Sequence, residues 1–117
     1  MAVRFFTDSA QSLLDAFDAR IEQEEQQGKI NTWEKSSDGK YYTHTSAQWA
    51  KLAWFKPRVC DDRLLFNIIK PQNKNISTVV YGYYHGHLIE TFLNHFDDQF
   101  STGVATARPT SDDKVQS

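Results

Sequence analysis

The run YYHGHLIETFLNHF, residues 83–96, places three histidines, one carboxylate and four aromatic rings in one short stretch. An imidazole changes charge near neutral pH and offers a lone pair to a metal, so metal binding and proton transfer are the first chemistries to weigh. His85 and His87 flank Gly86, and Glu90 follows His87 at helical spacing. Two imidazoles and a carboxylate form an adequate ligand set for zinc or iron, with one position left for water. His85, His87 and Glu90 are therefore the candidate catalytic residues. His44 joins them as a candidate metal ligand, because three imidazoles around one ion is a familiar catalytic geometry. His87 and His95 lie about 12 Å apart along a helix and cannot share an ion. The HExxH spacing is missing, and the plain alternative is a set of ordinary residues on a packed helix.

No other catalytic arrangement stands out. Cys60 is the single cysteine, which rules out an intrachain disulfide. Its neighbours Asp61 and Asp62 would raise a thiol pKa, the wrong direction for a nucleophile. There is no GxSxG elbow, dinucleotide fingerprint or phosphate-binding loop, and no cofactor is expected.

Eight Phe, five Tyr and three Trp make up 14% of the chain, more than a small core hides easily. Some rings are expected to line a groove or a subunit interface, so a homo-oligomer, in the first instance a dimer, is anticipated. Trp54, Tyr81, Tyr83 and His85 are the candidate lining of a cleft for a small apolar or aromatic ligand. A second reading notes that Trp33, Tyr41, Tyr42, Trp49, Trp54 and Phe55 interleave with Lys35, Lys40, Lys51, Lys56 and Arg58. Rings that stack on bases beside cations that meet phosphates suit single-stranded nucleic acid, provided the acidic first helix points away. The net charge of −2 argues against a dedicated nucleic-acid binder. Charge is uneven, however: residues 1–28 carry a net −4 and residues 51–74 a net +4.

The piece WEKSSDGKYYTHT, followed by Trp54 and Pro57, resembles the proline-ligand-binding WW domain over residues 33–57. The resemblance implies groove rings at Tyr42 and Trp54 and a structural pair at Trp33 and Pro57. It departs from the family where no proline precedes Trp33 and where the Tyr42–Trp54 spacing is stretched. A free-standing module also conflicts with strands that continue into RLLFNIIK, so the likeness is read as one of hairpin composition.

The elements that must position these residues follow from periodicity. Ala10, Leu13, Leu14, Phe17 and Ile21 predict a helix that starts near Thr7 or Asp8 and stops at Gly28. Residues 30–45 predict a hairpin turning at Asp38-Gly39. Residues 46–59 fit a short helix or a strand, with a strand from about 50 to 59 preferred and Pro57 at an edge or bulge. Residues 63–70 predict a central strand and residues 76–84 its antiparallel hairpin partner. A helix over 87–96 and a last strand around Phe100, Thr102 and Val104 complete the chain. The fold class is α+β: an antiparallel sheet of about four to six strands with an N-terminal helix and a late helix packed against it. Residues 1–107 are expected to form one domain and 108–117 a disordered polar tail.

Neither a signal peptide nor a membrane span is legible, and with the lone thiol this predicts a cytoplasmic protein. The function expected is that of a small soluble interaction or small-ligand-binding protein. The alternatives are a metal-dependent enzyme using the histidine and carboxylate cluster, or single-stranded nucleic-acid binding.

Overall fold

The structure, a computed structural model, describes residues 2–116. In chain order the elements are β1 (Ala2–Phe6), α1 (Ala10–Glu22), β2 (Trp33–Lys35), β3 (Tyr42–His44), β4 (Trp54–Val59), β5 (Arg63–Ile69), α2 (Thr78–Phe96) and β6 (Thr102–Ala105). The six strands form one sheet in the order β2-β3-β4-β5-β1-β6, each neighbouring pair antiparallel. Both helices pack on the same face, as the α+β pattern requires.

Strand alternation decides that face. Val3 pairs with Phe66, Phe5 with Leu64, and Phe55 with Ile68, so these side chains stand on one side of the sheet, all fully buried. Phe92 of α2 stacks on Phe5 at 4.1 Å and meets Phe66 at 5.7 Å and Phe17 of α1 at 4.9 Å. Trp33, Tyr42 and Tyr84 are also fully buried, so much of the aromatic excess behind the expected oligomer lies inside the core. The WW-like pattern implies a groove ring at Tyr42. It is instead a core ring whose hydroxyl donates to Asp18; burial and that carboxylate raise its pKa.

Three sequence expectations are corrected. Residues 76–84 are not a strand paired with β5; most of them open α2. Val79, Val80, Tyr81 and Tyr83 favour strands individually, but the Ser77 side chain accepts the Val80 amide at 3.2 Å and caps a helix. From there Tyr81, Tyr84, His85, Leu88, Thr91, Phe92 and Phe96 are buried at steps of one, three and four. One continuous stripe against the sheet overrides local propensity. Secondly, α1 begins at Ala10 and ends at Glu22, not at Gly28. Thr7 Oγ1 accepts the Ser9 amide ahead of the helix. Beyond Glu22 the chain folds back, with Ile30 N donating to Arg20 O at 2.9 Å. Thirdly, the N-terminal residues AVRFF, for which periodicity predicts no element, form β1 between β5 and β6.

β4 is shorter than expected, and residues 46–52 form turns in which Lys51 takes a φ of +60°. β3 pairs with β4 only at Tyr42 and Phe55, so Pro57 lies where that side of β4 has no strand partner. In the segment expected as a disordered tail, Asp113 Oδ1 accepts from Ile68 N and Asn67 Nδ2. Lys114 N donates to Ile68 O at 2.9 Å, and its carbonyl accepts from Lys70 N. Among the described residues no helix is long and apolar enough to cross a membrane.

Gly82 and Gly86 sit inside α2, exposed, with open space where a Cβ would stand. Glycine costs a helix interior about 0.5–1 kcal/mol relative to alanine. Gly82→Ala and Gly86→Ala are therefore expected to stabilise the protein by roughly that amount each. Urea midpoints at constant m-value measure it; destabilisation by both would contradict the helical assignment of this stretch.

Candidate functional site

Because residues 78–96 are helical, His85 and His87 are rotated by roughly 200° from one another and face different neighbours. His85 is buried, stacked on Tyr81 at 4.2 Å and edge-on to Phe55 at 5.2 Å. Its Nδ1 lies 2.6 Å from the Tyr81 carbonyl one turn earlier. His87 turns the other way and meets His44, the last residue of β3: His44 Nε2 and His87 Nδ1 are 3.2 Å apart. Glu90 is exposed and lines a small cleft of about 230 Å³ with His87, His95, Asn94 and residues 29–32. The four candidate metal ligands are thus divided. Among the described residues, no group of three or more His, Cys, Asp or Glu is placed to hold a metal ion.

The hydrogen bonds fix the tautomers of the histidine pair. Ser46 N donates to His44 Nδ1 at 3.0 Å, and a backbone amide can only donate. His44 therefore carries its proton on Nε2 and donates it to His87 Nδ1, which leaves the His87 proton on Nε2. The neutral pair has no free site in this contact for a further proton. Burial, with the His87 ring beside it, holds the His44 imidazole below its usual 6.5.

The aromatic residues near the pair are largely used by packing. Trp49 stacks on Tyr83 at 3.9 Å, and Tyr83 stacks on His87 at 4.5 Å. Tyr84 donates its hydroxyl proton to the Trp49 carbonyl. Tyr81 is buried and donates to Thr106 O at 3.0 Å. Of the candidate ligand lining, Tyr81, Tyr83 and His85 are all on α2, while Trp54 stands on the opposite side of the sheet. The four do not form one cleft.

Trp54 instead has other companions. It pairs across strands with Ile69 and alternates with the core residue Phe55, so it faces away from the helices. There it helps line a groove of about 710 Å³ with Tyr41, Ile69, Pro71, Lys51, Lys70 and the turn Ser36–Asp38. That volume lies within the usual range for small-molecule sites. Glu34 and Lys35 complete the rim. Lys35 is engaged elsewhere, 3.6 Å from Asp18 and 3.5 Å from Glu22. The Asp38 carboxylate accepts from Ser36 Oγ and from Lys40 N, which hold it below the usual carboxylate range. A second cavity of about 550 Å³ shares Tyr41 and Ile69 with the first and continues past Lys56, Arg58, Asn67, Asp112 and Lys114. Tyr41 and Trp54 are thus the rings of the aromatic and basic stretch that face this groove; Trp33, Tyr42 and Phe55 lie in the core.

The histidine pair makes stability depend on acid. The unfolded chain protonates His44 before the folded one does, so this contribution is present above about pH 6.5 and lost as pH falls through the folded value. Burial pushes Asp113 up to about 6, which acts in the reverse sense, its contribution fading as pH rises through 6. The difference in stability between wild type and His44→Gln cancels the Asp113 part. That difference is expected to shrink between pH 8 and pH 5, and histidine nitrogen NMR is expected to show Nε2–H tautomers at His44 and His87. A proton on His44 Nδ1 at pH 8 would refute the assignment.

No family model matches the chain, and neither a curated protein nor a solved structure does.

Proposed function

We propose that this chain is a ligand-binding domain whose site is the groove on the sheet face opposite the helices. The ligand is a planar aromatic molecule that carries an anionic group. The observation that carries this reading is Trp54, standing on the outer face among polar groups instead of joining the aromatic core across the sheet. An indole face offers a large stacking area with few rotatable bonds. The rim carries Lys51 and Lys70, the latter donating to Pro71 O at 3.4 Å and Gln72 O at 3.3 Å, against Glu34 and the ionised Asp38, while Lys35 is engaged by Asp18 and Glu22. The exposed Lys51 side chain is the cation that an anionic group would meet beside the ring.

Lys51 supplies a second support. Its backbone φ of +60° is uncommon for a residue with a side chain and costs on the order of 1–2 kcal/mol. The amide is held there by Thr43 Oγ1 at 2.9 Å. Backbone strain of this kind concentrates at sites where a side chain must be aimed.

The strain also makes a test that separates folding from binding. Lys51→Gly removes the ammonium group and relieves the backbone, so stability is expected to hold or rise while binding falls. The probe is 1-anilinonaphthalene-8-sulfonate, a planar ring system with one anionic group, followed by its fluorescence. Lys51→Gly is expected to weaken binding several-fold, and Trp54→Ala by roughly tenfold, the loss of one stacking face. Unchanged binding in both variants, or none by the wild type, would overturn the reading.

A further inference from the structure

Resting on the groove reading above, we propose that its ligand class is single-stranded nucleic acid, with bases stacked on Trp54 and Tyr41 and the phosphate backbone running past Lys56 and Arg58. The two cavities share Tyr41 and Ile69, so they form one trough along the outer face of β4 and β5, longer than a single small molecule needs. Both rings are partly exposed and recessed in that trough. An unpaired base can reach them, whereas a base inside a duplex cannot.

Charge separation across the sheet supports the assignment. Cross-strand pairing puts Arg4 opposite Leu65, and Leu65 opposite Arg58, all on the outer face. Lys56 shares that face by alternation, as does Arg63, which is paired with Asp62 at 2.7 Å. No outward position of β1, β4, β5 or β6 carries a carboxylate, and β2 contributes Glu34 at the rim. The acidic residues of α1 lie on the other side, with the helix packed through Phe17 against Phe66. The chain's net charge of −2 therefore does not describe this face. Phosphates meet cations here, and the acidic helix points away.

Three carboxylates line the trough, Glu34 and Asp38 at the Trp54 end and Asp112 at the other. Asp112 pairs with Arg58 at 3.3 Å, both side chains well exposed. An ion pair so open to water contributes little to stability, so either partner can be replaced without unfolding the protein.

The test uses the full chain and a fluorescein-labelled oligothymidylate of about eight residues, followed by anisotropy over a range of salt. The single strand is expected to bind, and a duplex of the same length at least tenfold more weakly. Arg58→Ala is expected to weaken binding and to make the slope of log K against log salt shallower by about 0.7, the signature of one phosphate no longer neutralised. Asp112→Ala frees Arg58 and is expected to tighten binding several-fold, a gain that no folding defect produces. Equal affinity for the duplex, or no tightening by Asp112→Ala together with no weakening by Arg58→Ala, would overturn the inference. If the anilinonaphthalene sulfonate binds and the oligothymidylate does not, this inference fails and the groove reading stands. If neither binds, both fail.

Discussion

The contact of Phe92 with Phe5 fixes the rest of the molecule. The two rings stack where α2 crosses the centre of the sheet, and Phe17 of α1 and Phe66 of β5 close around them. Seating Phe92 there sets the rotation of the whole helix. With that rotation His85 and Tyr81 are carried over β4 and the chain's later residues, while His87 and Thr91 turn towards the β2–β3 hairpin. The same contact places both helices on one side and leaves the other side of β4 and β5 as the surface where Trp54 stands.

Polar side chains then attach the hairpin to the helix. Trp33 Nε1 donates to Thr91 Oγ1 at 3.0 Å, and Thr91 donates in turn to His87 O at 2.8 Å. The His44–His87 contact lies alongside. β3 shares only one cross-strand pair with β4, so ladder bonds alone would hold this edge weakly. Buried hydrogen bonds to α2 supply what the ladder lacks, and each would be costly to leave unmade in so apolar a setting. His44 and His87, two of the imidazoles that first suggested chemistry, take part in this attachment.

The fold class was legible because the amphipathic periodicity of Leu13, Leu14 and Phe17, and of Leu88, Phe92 and Phe96, survives without tertiary information. The Asp38-Gly39 turn and the run of β5 were legible for the same local reason; Gly39 takes a φ of +75°, as its turn requires. Residues 76–84 were not, because a buried helix rich in Val and Tyr and a strand look alike over nine positions, and only the stripe continuing to Phe96 separates them. β1 was hidden by its brevity and by its place between β5 and β6, partners distant in sequence. The candidate site followed the elements. The companions expected for Trp54 came from the stretch that folds as α2, on the far side of the sheet from it. The convergence of His44 with His87 depends on a helical rotation that spacing alone did not supply.

The outer face of the sheet is not evenly solvated. Such a face on an antiparallel sheet usually alternates polar residues evenly along each strand. Here Leu65 and Asn67 are buried although they point away from the helices, and Asn67 bonds to Asp113. The segment 110–115 thus closes the face at one end, while the strained turn at Lys51 shapes the other. Between them lie Trp54 and Tyr41, with Lys51, Lys56, Arg58 and Lys70 against Glu34, Asp38 and Asp112. A sheet needs none of these to fold. They coincide on the face of the sheet against which neither helix packs.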